Sequence, residues 1–143
     1  MKITQLSVFL ENKKGRLYDV ASALGGAGID IKALIIAESG EFGVLRMVVS
    51  DPGRAVEVLK EHGLVASITD IVAVEVNDHP GGLAAVLKIL DEYDINVEYM
   101  YAFVEKNTDK AVVVFRFDDL DKAIATLTKN HVRVLGKKDI QGL

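Results

Sequence analysis

The chain has 143 residues, half of them hydrophobic and 27% charged, so it can bury a core and is too apolar for a disordered segment. Its 17 Lys and Arg against 21 Asp and Glu give a net charge of -4, and it has no Trp, which argues against a basic stripe or a stacking surface for nucleic acid. The absence of Cys excludes disulfides, thiolate nucleophiles and Cys-ligated zinc. The apolar stretch from Leu6 to Leu10 is broken at once by Glu11, Asn12, Lys13 and Lys14. It is too short for a signal sequence or a membrane span, and a cytoplasmic protein without membrane partners is expected.

Residues 2–10 read as a strand, with Leu6, Val8 and Leu10 alternating with Ser7 and Phe9. Leu17, Val20, Ala21 and Leu24 fall at helical spacing, so a helix is expected from about Arg16 to Gly25, where Gly25, Gly26 and Gly28 end it. Ile29 to Ala37 and Gly43 to Ser50 form a hairpin around Glu38-Ser39-Gly40-Glu41. A second helix starts on Asp51 as N-cap with Pro52 first inside it, turns Ala55, Val56 and Leu59 inward, and stops at Gly63. Leu64 to Ile68 is a last short strand.

The same order then repeats. A strand runs to Val76, a helix carries Leu83, Val86, Leu87 and Leu90, and Ile95 to Val104 pairs with Ala111 to Phe117. A helix on Ala123, Ile124 and Leu127 and a strand from Val132 to Leu135 complete it. Shifting the sequence by 66 residues, 81 against 15, superposes Gly15, Leu17, Val20, Leu24 and Ile29 on Gly81, Leu83, Val86, Leu90 and Ile95. Later the shift becomes 68, pairing Ala55, Val56 and Leu59 with Ala123, Ile124 and Leu127, and the polar run Lys106 to Lys110 is the expected place for the two extra residues. The chain therefore reads as two βαββαβ units, residues 1–69 and 70–143. Each is an α+β, ferredoxin-like antiparallel sheet with its helices on one face, and the two are expected to pack side by side without a flexible linker.

That architecture hosts many functions, so the residues must decide. His62 and His131 end helices, where a cation suits the dipole, and no Ser, Asp or Glu partner turns His79 into a triad or acid–base couple. His79 reads as a loop hydrogen-bond donor. No phosphate-binding glycine pattern and no metal-ligand spacing is present, so neither a cofactor nor a metal is expected. Arg46 reads as an arginine on an open sheet face, and Tyr93, Tyr99 and Tyr101 as packed aromatics whose hydroxyls reach water.

The informative segments are the loops between first strand and first helix, Glu11 to Leu17 and Asn77 to Leu83. A glycine at a helix start lets the backbone approach a ligand, and the unpaired N–H groups of that turn bind a carboxylate. Asn12 or Asp78, just upstream, offers an acceptor to an ammonium group. A carboxylate donor set beside an amine acceptor suits a free α-amino acid, whereas each loop taken singly is more often an ordinary helix start, and it is their repetition in both units that favours a ligand.

Asp78-His79-Pro80-Gly81-Gly82-Leu83 with Ile95-Asn96-Val97, and Asn12-Lys13-Lys14-Gly15-Arg16-Leu17 with Gly28-Ile29-Asp30-Ile31, resemble the signature of ACT domains. These are small βαββαβ modules that bind amino acids and regulate metabolic enzymes. The resemblance spans essentially the whole chain, as two ACT units in tandem with no catalytic domain. It implies a ligand held between ACT units by the glycine loop of one and the start of the second strand of another. By position this implicates Asn12, Gly15, Arg16, Leu17 and Asp30 in the first unit, and Asp78, His79, Gly81, Gly82, Leu83 and Asn96 in the second. Lys14 stands where the second unit has Pro80, and Asp94 where the first has Gly28, so the two sites are unequal. The nearly neutral second loop is favoured over the cationic first.

The expected function is a non-catalytic sensor of a free amino acid that regulates a metabolic enzyme or regulator, as a homodimer. The competing reading is a ligand-free interaction subunit on the same scaffold.

Overall fold

The computed structural model describes residues 1–104 and 109–143. Lys106, Asn107 and Thr108, the core of the run expected to absorb the two-residue insertion, lie outside the described residues. The chain divides into two compact units, Thr4–Thr69 and Asp70–Leu143 with Met1–Ile3. Lys2 Nζ lies 3.1 Å from Asp121 Oδ1 in the latter.

The first unit contains β1 (Ile3–Glu11, from Thr4 onward), α1 (Arg16–Gly26), β2 (Ile31–Ser39), β3 (Phe42–Val49), α2 (Pro52–Glu61) and the opening of β4 (Val65–Asn77). β3 pairs antiparallel with β1, Leu6 opposite Met47, and with β2, Leu34 opposite Met47. Alternation puts Leu6, Val8 and Leu10 of β1 on the same face as Leu45, Met47 and Val49 of β3, where they meet Val20, Ala23 and Leu24 of α1 and Ala55 and Leu59 of α2. Full burial of side chains such as Leu6, Leu24 and Leu59 contributes about 1.5–3 kcal/mol each. Thr69, at the far end of the unit's chain, is tied to β1 by Gln5 Nε2, which donates to its Oγ1 at 3.0 Å.

The second unit contains the rest of β4, α3 (Gly82–Glu92), β5 (Val97–Ala102), β6 (Lys110–Phe117), α4 (Leu120–Lys129), β7 (Val134–Leu135) and α5 (Lys137–Gln141). β6 pairs antiparallel with β4, Val74 opposite Val113, and with β5, Tyr101 opposite Val114, while β7 joins β4 at Val74 and Val134. Val72, Val74 and Val76 with Val113, Phe115 and Phe117 meet Val86, Leu90, Ala123 and Leu127. The Phe115 and Phe117 rings stack at 5.2 Å. Both units thus have the βαββαβ order that the repeat implies, and no linker divides them, since β4 runs unbroken from Val65 to Asn77.

Two local features differ from the sequence reading. The strand expected over Val132 to Leu135 pairs only through Val134 and Leu135, and the chain turns at Gly136 into α5. That helix is fixed by Asp139 Oδ2 accepting from the Gly136 N–H at 2.8 Å, by Arg133 donating to Asp139 Oδ1 at 3.0 Å, and by burial of Ile140. Five residues are too few to show a helical period.

The helix starts fall into two kinds. α2 and α4 are capped by Asp51 and Asp119, which accept the Arg54 and Lys122 N–H groups at 3.2 and 3.0 Å. α1 and α3 instead start on Gly15 and Gly81, at φ of 93° and 88°, with no side-chain cap.

Candidate functional site

The first glycine loop leaves β1 at Glu11 and turns through Asn12, Lys13 and Lys14 to Gly15. The Asn12 N–H donates to Glu41 O at 2.6 Å and Asn12 Nδ2 to Gly40 O at 3.2 Å, so the loop is fastened to the β2–β3 hairpin and Asn12 Oδ1 is left to accept. Between them lies a cavity of about 230 Å³ lined by Leu10, Glu11, Asn12, Lys13, Arg16, Leu17, Ile36, Glu38 and Gly43. Leu17 and Ile36 are about half exposed and form apolar wall.

The charges around this cavity are unevenly matched. Lys13 Nζ sits 3.0 Å from Glu11 Oε2. Its hydrogen bond and charge hold the Glu11 carboxyl below the usual range, with a smaller pull from Arg16. Arg16 NH1 is 3.5 Å from Asp19 Oδ2, yet Arg16 Nε is buried with no hydrogen-bond partner. A buried donor without an acceptor costs about 1–3 kcal/mol, and the Arg16 side chain borders both this cavity and one between α1 and α2. Glu38 has no ion pair or side-chain hydrogen bond among the described residues. One arginine and one carboxylate unmatched among the described residues therefore border the same small space.

The second loop is built differently. Gly82, first in α3, is buried against the end of β4, and a Cβ there would overlap the Asn77 carbonyl oxygen. The Asp78 N–H donates to Asp109 O at 2.9 Å and the Gly82 N–H to His79 O at 3.0 Å. His79 Nδ1 donates to Pro80 O at 3.0 Å, the loop-donor role expected of it. A cavity of about 240 Å³ reaches Asn77 and Gly82 but is not walled by Asp78, His79, Gly81 or Leu83. Its charged groups already have partners: Arg133 bridges Glu75 and Asp139 at 3.0 Å each, and Lys110 Nζ meets Asn77 Oδ1.

Asp30 and Asn96 stand at the opposite ends of their units from these loops. The Asp30 N–H donates to Ser50 Oγ at 2.9 Å, and Asn96 N–H donates to Asp118 Oδ1 at 3.2 Å. Glu11 is opposite Phe42 and Asn77 opposite Lys110, so eight residues of strand, roughly 26 Å, separate each loop from the strand start of its own unit.

A family model described as ACT domain pair matches residues 1–143. The chain belongs to the ACT domain pair family. Protein BT0572 from Bacteroides thetaiotaomicron shares 42% sequence identity with this ACT pair, covering 100% of this chain and 98% of that one, with a TM-score of 0.92. The regulatory subunit of aspartate kinase from Thermus thermophilus, in its ligand-free form, is 18% identical over 88% of this chain and 90% of that one, at TM-score 0.65. The corresponding subunit from Thermus flavus is 18% identical, with 90% and 92% covered, at 0.60. No curated protein matches.

Within the ACT pair, the structure groups Asn12, Arg16 and Leu17 around one cavity, sets Gly15 and Gly81 at their uncapped helix starts, and does not bring Asp30 or Asn96 to the loop of the same unit. Glu38, Ile36 and Leu10 are cavity residues that the sequence motif did not single out. Their signal was present only in the hairpin register, which sets Glu38 opposite Gly43 and Leu10 opposite Gly43 as well. Among the described residues no group of three or more His, Asp and Glu could hold a metal, and no helix is long and apolar enough to cross a membrane.

Proposed function

We propose that this ACT pair is a non-catalytic sensor that binds a free amino acid at its first glycine loop and regulates a metabolic enzyme. The observation that carries the reading is the cavity of about 230 Å³ lined by Arg16 and by Glu38, which lacks a partner among the described residues. The ligand's carboxylate meets Arg16 and the uncapped amides of the first turn of α1, and its ammonium meets Glu38 and Asn12 Oδ1. Its side chain lies against Leu10, Leu17 and Ile36. The cavity is smaller than the range of about 300–1,000 Å³ usual for drug-sized ligands, which suits a metabolite of this size.

The cationic first loop is preferred to the second because the second is closed by backbone contact and its charges are paired. Asp30 and Asn96, being remote from the loops of their own units, would serve a site completed by another ACT unit. Leu34 and Ile36 on β2 are exposed apolar side chains against which another copy would add, giving a homodimer. The enzyme-regulating role draws on the Thermus thermophilus neighbour, which is a regulatory subunit of aspartate kinase and which this chain matches over 90% of its length.

Amide chemical-shift mapping with each of the twenty amino acids tests the reading. Perturbations should cluster at residues 10–17 and 36–43 for at least one of them. Shifts confined to residues 78–83 would transfer the site to the second loop, and none at either loop would remove the sensor reading.

A further inference from the structure

One row across the sheet of the first unit contains Leu10, Gly43 and Glu38, since β3 sets Gly43 opposite Leu10 on one flank and opposite Glu38 on the other. Gly43 is buried in a strand paired on both sides, where a glycine weakens the sheet and packs nothing. Neither usual reason for a glycine applies to it. Its φ lies outside the left-handed region, and a Cβ on it would meet Ile36 Cγ1 and Cδ1 at 3.5 Å, which is ordinary van der Waals contact. The corresponding row of the second unit sets Ala111 opposite Val76. What the missing side chain leaves is space in the cavity of about 230 Å³ that Gly43 lines together with Leu10, Leu17 and Ile36.

The polar lining of this cavity is fully used by the backbone of an amino acid. Glu11 and Lys13 pair with each other at 3.0 Å, and with the ligand's carboxylate on Arg16 and its ammonium on Glu38 and Asn12, no charged wall is left for its side chain. The wall that remains is buried Leu10, half-exposed Leu17 and Ile36, and the bare backbone of Gly43. A charged or hydroxylated side chain set against it would lose water and gain no partner, whereas an aliphatic one would give up only apolar surface.

We infer that the first-loop site selects amino acids with an aliphatic side chain, and that Gly43 sets how large that side chain can be. This rests on the reading of the first glycine loop as an amino-acid site and names the ligand class that site takes.

The test is calorimetric titration of the whole chain with alanine, 2-aminobutyrate and norvaline, with valine against its isostere threonine, and with lysine and glutamate. Affinity should rise roughly fourfold for each methylene along the linear series. Threonine should bind about tenfold more weakly than valine, and lysine and glutamate at least about tenfold more weakly than norvaline. Gly43→Ala should cost norvaline about tenfold by filling the space beneath its terminal methyl, while moving 2-aminobutyrate by less than about twofold. Leu17→Ser, at a half-exposed position, should flatten the linear series. Affinity that is flat along that series in the parent, or norvaline binding indifferent to both Gly43→Ala and Leu17→Ser, would overturn the inference. Tighter binding of threonine, lysine or glutamate that is lost in Glu38→Ala would overturn it while leaving the amino-acid site standing, and no heat with any of these ligands would remove both.

Discussion

At the residue that follows the loop glycine, the first unit carries Arg16 and the second Gly82, and the surroundings of the two loops diverge from that point. Arg16 extends a side chain with an unsatisfied donor beside an open cavity, whereas Gly82 lets the start of α3 press against the Asn77 carbonyl. Repeated loops with the same left-handed glycine thus end in different surroundings, one beside an open cavity and the other closed on its own backbone.

The largest effect that would sharpen this contrast is on stability. Gly82→Ala forces a Cβ into Asn77 and should destabilise by about 2–3 kcal/mol, while Arg16→Ala, which removes a buried donor without an acceptor, should not destabilise, both read from urea unfolding. A Gly82→Ala chain as stable as the parent would mean that the second loop can open as the first does. Next in size, Gly15→Ala and Gly81→Ala, at φ of 93° and 88°, should each cost about 1–2 kcal/mol, because the left-handed backbone is the feature the two loops share. A large difference between this pair of costs would break that part of the comparison.

A smaller gain is expected where the second unit lacks a glycine that the first has. Asp94 and His131 adopt φ of 53° and 63° at the positions of Gly28 and Gly63. His131→Gly should stabilise by about 1 kcal/mol, and Asp94→Gly by less, since Asp tolerates this region better. Loss of stability in His131→Gly would show that its side chain makes a contact that outweighs the strain.

The smallest effect concerns Glu11. Its folded carboxyl titrates below the ordinary 4.5 through Lys13, so the stability it contributes is complete above that value and is lost as pH falls through the folded pKa. Lys13→Ala should return the Glu11 pKa toward 4.5, as followed by NMR titration of its side-chain carboxyl. An unmoved titration would assign the shift to Arg16 instead.

The scaffold was legible because its periods are clean. Leu6, Val8 and Leu10 alternate, Val20 and Leu24 fall one helical turn apart, and Asp51-Pro52 announces α2, so both units could be laid out from the chain alone. The loop glycines were legible for the same reason, as residues repeated at a fixed offset. Glu38 and Ile36 were not, because they reach the first loop through the β2–β3–β1 register, and register is a property of pairing that no single segment carries. Arg16 and Gly82 were both visible, but their opposite consequences depend on how near Asn77 O comes, a distance fixed only by packing.

Whether the first loop holds a free amino acid is decided by thermal unfolding against each of the twenty amino acids, for the parent chain and for Glu38→Ala. A ligand present at a hundred times its Kd adds about 2.7 kcal/mol and should raise the midpoint by several degrees at this chain length. At least one amino acid should produce that rise in the parent, and the rise should vanish in Glu38→Ala with its unliganded midpoint unchanged. No rise with any amino acid, or a rise that survives the loss of Glu38, would mean that the first loop is not an amino-acid site.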